Sequence, residues 1–246
     1  MENQPFNIYE VSQEWAKQQN HLHLWAEKST TSTNDQAKQE LLPDGIDQGL
    51  YLTKHQTQGR GRGDHSWVDS GEGKYLLSTW VFRLHQSPQH ITAPLFGLAL
   101  FKAARTTWNT LPFSLKAPND LLLGRKKVAG LLIESLNHGR DFFLMAGLGV
   151  NVFATPDKLT EATCLSGAEG VGDALSTNEW QDFLRYLDEE FSAACDRAIR
   201  HHLSEHGRLE LLKALNTNPC LSSPILEVEA NGDLITENGK ISWYNI

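Results

Sequence analysis

The chain is poor in cysteine, has no excess of positive charge and carries no long apolar run. Its three cysteines, Cys164, Cys195 and Cys220, lie far apart and include no Cys-x-x-Cys pair. That fits reduced cytosolic thiols better than a secreted disulfide scaffold. No apolar stretch approaches the roughly 20 residues needed to span a bilayer. The N-terminus carries Glu2, Glu10 and Glu14 with no apolar signal region, so neither a membrane partner nor export is expected, and the expected location is cytoplasmic. Lys and Arg number 22 against 30 Asp and Glu, a formal charge of −8. Such a surface works against generic binding to nucleic acid or anionic lipid, and any anion chemistry must come from locally concentrated cations. Several catalytic signatures are missing as well: the Gly-Lys-Ser/Thr ending of a Walker loop, His-Glu-x-x-His, Gly-x-Ser-x-Gly, and a dinucleotide Gly-x-Gly-x-x-Gly after a strand. His201, His202 and His206 have no Cys ligand nearby and read as a solvated helix end.

Among the 246 residues, 40% are hydrophobic and 21% charged, ordinary for a globular chain of one large domain or one large and one small. Residues 1–20 read as polar. His21 to Trp25 alternates as a strand would, and Thr33 with Gln36 has capping-box spacing before a helix from about Asn34 to Leu42, stopped by Pro43-Asp44-Gly45. Leu50 to Lys54 and the uninterrupted apolar run Tyr75 to Phe82 read as strands, the latter buried. Between them, Gln56 to Gly73 is rich in Gly, Arg, Asp and Ser with almost no apolar residue besides Trp67 and Val68, the composition of a mobile loop. Thr92 to Trp108 reads as a helix. Leu121-Leu122-Leu123 and Val128 to Ile133 read as a hairpin, and Asn137-His138-Gly139 as the turn before a strand at Phe142 to Met145. Trp180, Phe183, Leu184, Leu187, Phe191 and Cys195 mark one face of a long helix with Thr177 as its N-cap, and Leu209 to Leu215 a second helix. Asn231-Gly232 and Asn238-Gly239 predict small hairpins in the tail. The expected architecture is α+β, a mixed sheet with helices on one side. A domain over 1–218 is followed by a vestigial β appendage over 219–246.

Four clusters carry possible chemistry, each with a plainer alternative. Gln56-Thr57-Gln58-Gly59-Arg60-Gly61-Arg62-Gly63 interleaves permissive glycines with planar cations, suiting an anion-binding nest or, equally, a solvated loop. Lys116-Ala117-Pro118-Asn119-Asp120 is a turn entering a strand with a carboxylate, and Lys127 stands before small Ala129 and Gly130. An ammonium there can neutralise a carboxylate or phosphate, and Asp120 can orient an amine or hold magnesium; the alternative is a charged hairpin facing water. In Ala146-Gly147-Leu148-Gly149-Val150-Asn151, two glycines within a strand imply close approach of some group to the backbone, or else a bulge, and Asn151 offers a paired donor and acceptor to an adenine edge. Ser32-Thr33-Asn34 offers hydroxyls and an amide to a polar ligand, or simply caps a helix.

Taken in order, these motifs resemble the catalytic domain of biotin–protein ligases, over about residues 22–200, in the single-function type without an N-terminal DNA-binding domain. The resemblance implies a class II synthetase-like mixed sheet flanked by helices, with a truncated SH3-like β appendage. The implied activity is ATP-dependent activation of biotin to biotinyl-5'-AMP and transfer to a lysine of a biotin carboxyl carrier protein. Biotin contacts fall on Ser32, Thr33, Asn34, Gln56, Gly59, Arg60, Gly61, Arg62, Lys127 and Gly130. Nucleotide contacts fall on Arg60, Arg62, Lys116, Asn119, Lys127, Gly147, Gly149 and Asn151, and catalysis on Arg60, Lys127 and Asp120. ATP and biotin are the implied substrates and magnesium the implied ion. No DNA partner is expected, and a homodimer is allowed.

The sequence departs from the family at Ala117, where tryptophan is usual, at His65, where the loop is often basic, and in its abbreviated tail. Three other readings remain: a lipoate or octanoate transferase of the wider fold, a non-catalytic protein binding biotin or its adenylate, and a nucleic-acid module. The charge of −8 counts against the last.

Overall fold

The computed structural model describes residues 6–156, 159–167, 175–217 and 223–245. The elements run α1 (Ile8–Lys17), β1 (His23–Glu27), α2 (Thr33–Gln39), β2 (Gln48–Thr53), β3 (Tyr75–Leu84), α3 (Thr92–Thr107), β4 (Phe113–Lys116), β5 (Asp120–Leu123) and β6 (Lys126–His138). They continue as β7 (Asp141–Asn151), α4 (Thr177–Ala198), α5 (Glu205–Asn216), β8 (Ile225–Val228), β9 (Leu234–Thr236) and β10 (Gly239–Ile241). The chain forms two compact units, one of Met1–Ser87 with Val128–Gln181 and one of Pro88–Lys127 with Asp182–Ile246. The boundary expected at 218/219, with Pro219 and Cys220 beside it, lies outside the described residues.

In the first unit the strands lie in the order β1-β2-β3-β7-β6. β1 runs parallel to β2 and the other pairs are antiparallel, so the sheet is mixed. Its centre is β3, buried along nearly its whole length, as an uninterrupted apolar run predicts. Consecutive strand residues face opposite ways: Trp80 meets Trp15 of α1 at 6.1 Å between ring centroids, whereas Val81 packs with Ala37 of α2 and with Tyr51, Phe143 and Met145. Helices therefore cover both faces, not one. A strand apolar on both sides needs two covers.

The second cover is the helix that sequence reading left as polar chain. Asn7 caps α1 by accepting a hydrogen bond from Glu10 N at 3.2 Å, and Ile8, Tyr9, Ser12, Trp15 and Ala16 form its buried stripe. Two further corrections are small. α4 is capped by Ser176, not Thr177: Glu179 N donates to Ser176 Oγ at 3.2 Å, and Ser176 N donates back to Glu179 Oε2 at 2.9 Å, a complete capping box. The β6–β7 turn falls at Gly139-Arg140, with His138 paired to Asp141 and Gly139 at φ +65°, two residues later than the expected start at Asn137.

In the second unit α3 and α5 pack on the antiparallel pair β4–β5, and α4 meets the α3 side through aromatic contacts Phe96–Phe191 at 4.9 Å and Trp108–Phe183 at 5.0 Å. β8, β9 and β10 make a small antiparallel sheet, turned at Gly232 and Gly239, both with positive φ. The tail then reaches the β4–β5 turn, where the buried Trp243 donates Nε1–H to Pro118 O at 2.9 Å. Trp243→Phe keeps an aromatic ring and removes that donor, so it is expected to destabilise by about 1 kcal/mol. Urea unfolding measures this directly; an unchanged midpoint would show the bond to be dispensable.

Candidate functional site

In the first unit the arginine-bearing loop is pinned at its neck and near its tip. At the neck the buried carboxylate of Asp69 accepts from Gln56 N at 3.1 Å and Gly71 N at 2.8 Å, and it lies 2.7 Å from His55 Nδ1. Nearer the tip, Arg60 and Ser66 form an isolated antiparallel bridge. Thr57, Gln58 and Gly61 donate their backbone N–H groups to Thr30 O, Thr31 O and His65 O. Those three amides are thereby satisfied within the protein. The glycines have a steric role: a Cβ on Gly59 would lie 2.4 Å from Trp67 O, and one on Gly61 would lie 3.1 Å from His65 O. Arg62 belongs to the tip turn, where its carbonyl accepts from His65 N at 3.2 Å.

Motifs more than 20 residues apart meet where this loop leaves the sheet. Gln56 Oε1 accepts from Thr33 N at 2.8 Å and from Thr33 Oγ1 at 3.2 Å. The carboxamide thus satisfies a first-turn donor of α2, and the Thr33/Gln36 capping box does not form; Gln36 Nε2 turns to Glu40 Oε1 at 2.8 Å instead. Ser32 holds the N-cap position, buried and without a side-chain capping bond. Asn34 is buried as well, donating from Nδ2 to Glu134 Oε2 at 2.8 Å, while Thr79 Oγ1 lies 2.5 Å from its Oδ1.

Glu134 is the residue that sequence reasoning missed. Besides Asn34 it takes Lys38 Nζ at 2.8 Å and Arg60 Nη2 at 2.6 Å, both on Oε1. Arg60 reaches Asp35 through its other terminal nitrogen. Two cations and two carboxylates thus form a neutral cluster, about one-third exposed or less at each Lys and acid. Burial raises the Glu134 carboxyl, but the hydrogen bonds from Lys38, Asn34 and Arg60 outweigh it and hold the group below the usual carboxylate range. The signal was available: an acid that closes the apolar run Val128 to Ile133 must find partners if the strand is buried.

β7 explains its own glycines. A Cβ on Gly147 would lie 2.3 Å from Asn34 Oδ1, and one on Gly149 would lie 2.5 Å from ring carbons of Trp67. What approaches this backbone is two side chains of the protein itself. Gly130 pairs with Gly149 across β6 and β7. Asn151, assigned to nucleotide, is 2% exposed and donates Nδ2–H to Thr163 O at 3.0 Å.

In the second unit the exposed Lys116 pairs with Asp120 across the β4–β5 turn that contains Asn119. Asp120 Oδ1 stands 2.6 Å from Lys127 Nζ, with the lysine side chain 36% exposed. That oxygen already faces an ammonium, and the described residues contain no group of three or more His, Cys, Asp or Glu able to hold a metal ion. The donor set around Asp120 therefore does not fit a magnesium ion held by the protein. Nor, among the described residues, is any helix long and apolar enough to cross a membrane.

The arrangement is an arginine loop referenced to a helix start in one unit and a lysine–aspartate pair beside a turn in the other. Residues 26–151 match the model of the biotin/lipoate A/B protein ligase family, a span that contains α2, the arginine loop, the β4–β5 turn, Lys127, Glu134 and the glycines of β7. The chain belongs to this family. A biotin–[acetyl-CoA-carboxylase] ligase of Paracoccus denitrificans is 34% identical over 137 residues, 52% of this chain and 54% of that protein. The chain spans about half the length of the curated relatives it matches. Among solved structures, the biotin protein ligase of Aquifex aeolicus in complex with biotin and ATP superposes with a TM-score of 0.64 at 21% identity, over 89% of this chain and 94% of that one. A biotin protein ligase-like protein of unknown function from Silicibacter sp. gives 0.61 at 15% identity, over 92% and 96%. These likenesses establish the family's α+β fold for this chain.

Proposed function

We propose that the chain activates biotin with ATP to biotinyl-5'-AMP, releasing pyrophosphate, and then passes biotin to a lysine of a biotin carboxyl carrier protein, releasing AMP. The observation that carries this reading is the meeting of Gln56 and Arg60 with Thr33 and Asp35, which brings the loop motif and the Ser32-Thr33-Asn34 motif together. The named ligase of Paracoccus denitrificans supports it. The catalytic domain would span 1–218 and the β appendage 219–246.

In the first step a biotin carboxylate oxygen attacks the α-phosphorus and the bond to pyrophosphate breaks, so negative charge gathers at the phosphoryl oxygens. Arg60, Arg62 and Lys127 are the cations we assign to stabilise it. In the second step the acceptor amine attacks the acyl carbon, AMP leaves with the bonding pair, and the amine gives up a proton. Asp120 is the carboxylate we assign to orient that amine. Magnesium would arrive on the nucleotide. Ser32, Thr33, Asn34 and Gln56 are assigned to the biotin end, and Asn151 with Gly147 and Gly149 to the nucleotide end.

The test is biotin-dependent exchange of labelled pyrophosphate into ATP, followed by transfer of labelled biotin to an isolated carrier domain. Both are expected. Exchange driven by lipoate or octanoate and not by biotin would move the chain to the other branch of its family. Biotin binding with neither exchange nor transfer would make it a binding protein.

A further inference from the structure

We propose that Glu134 is the positioning residue of the arginine loop, acting on the reaction only through Arg60 and Asn34. Its bearing on turnover rests on the ligase reading above. Between its neck at Gln56 and Asp69 the loop is held by backbone bonds from Thr57 and Gln58 to Thr30 and Thr31, by the Arg60–Ser66 bridge and by the Trp67 ring against Gly149, and the side chain of Arg60 ties it to Glu134 and Asp35. Of the two carboxylates that hold Arg60, Asp35 lies in the first turn of the seven-residue α2. Glu134 lies within a 13-residue strand, opposite Met145 in the register of β6 and β7. A guanidinium bonded to it is therefore indexed to the sheet and not merely to the neighbouring helix.

The same carboxylate settles the orientation of Asn34. Ionised, it accepts and never donates, so only the Nδ2 end of Asn34 can face it, and Oδ1 must turn toward Thr79. Thr79 Oγ1 lies 2.8 Å from Thr33 Oγ1, which meets Gln56. One charge on β6 thus fixes polar groups on α2, β3 and both ends of the loop segment Gln56–Arg60. Glutamine at 134 nearly matches the shape but has one acceptor end and one donor end. Whichever way it turns, an N–H would face Asn34 Nδ2 or the two cations.

Three measurements test this on the full-length protein. Glu134→Gln is expected to lower kcat for biotin-dependent pyrophosphate exchange by about 10- to 100-fold, the scale of a misplaced catalytic group, with KM for ATP changed much less. In an Arg60→Ala background the same substitution is expected to change exchange little, because coupled residues are non-additive. A multiplicative loss, equal in both backgrounds, overturns the proposal, as does a harmless Glu134→Gln. The third readout needs no ligase activity: trypsin should cut after Arg60 or Arg62 faster in Glu134→Gln than in the wild type, at matched thermal midpoints. An unchanged cutting rate overturns loop anchoring even if the ligase reading stands, and faster cutting supports it even if the wild type transfers no biotin. Should the glutamine variant fold poorly, Glu134→Asp keeps the charge at a shorter reach and is expected to show the faster cutting in weaker form; a wild-type rate there also counts against the proposal.

Discussion

Lys127→Ala is expected to lower transfer of biotin to a carrier lysine by about 10²- to 10³-fold, the usual loss when a preorganised charge stabiliser is removed from a transition state, while costing about 1–3 kcal/mol of stability. The two effects separate because of where the lysine sits. Its side chain is more than a third exposed and its described partner is Asp120 at 2.6 Å, so its removal uncovers little apolar surface. Asp120 is 17% exposed as a side chain, but its Oδ1, the oxygen that faces the ammonium, is buried, so removing the lysine leaves that oxygen poorly solvated. The chemical loss is larger because carboxylate attack on an α-phosphate concentrates charge that water must otherwise screen. Transfer and pyrophosphate exchange are both measured, since loss of exchange places the defect at adenylate formation. Asp120→Asn is the control: it removes the partner while keeping the ammonium, and is expected to slow transfer more than exchange. Lys127→Ala turning over within about threefold of the wild type would remove this lysine from the chemistry.

Elements built on an unbroken local signal were legible in the sequence. The apolar run of β3, the six-residue stripe of α4 and the Asn-Gly turns of the tail all form as read, because each depends on neighbours within a few positions. The ends of these elements moved. Ser176 and not Thr177 caps α4, since either residue type can cap and only the reciprocal bond from Glu179 decides. α1 was invisible for another reason. Its stripe of Ile8, Tyr9, Ser12, Trp15 and Ala16 is interrupted by a serine that looks polar. Yet Ser12 Oγ accepts from Trp180 Nε1 at 2.9 Å, a partner 168 residues away.

The site divides along the same line. The order of its motifs was legible, and so was the need for something to approach Gly147 and Gly149 closely. What approaches them was not, because Asn34 and Trp67 come from distant parts of the chain and strand periodicity carries no information about them. Glu134 lies between these cases. Its type and place in the strand announced a buried charge in need of partners, but Lys38, Asn34 and Arg60 are found only once α2 and the loop have folded onto the sheet.

That difference can be put to the test at Gly149. Valine there would add β-branched bulk that suits a strand, a gain below about 1 kcal/mol. It would also drive carbon into the Trp67 ring, which already lies 2.5 Å from where a Cβ would stand. A rigid indole cannot yield by a rotation at its far end, so overpacking should win and Gly149→Val is expected to destabilise by about 1–3 kcal/mol. Displacing the ring also strains the bond from Trp67 N to Gly59 O at 2.9 Å, so trypsin should reach the arginines of the loop more readily. Adding Trp67→Ala to Gly149→Val relieves the clash and should recover much of the stability without restoring loop protection. If Gly149→Val instead unfolds like the wild type and keeps its loop protected, then the packing of Trp67 is not what requires a bare backbone at this position.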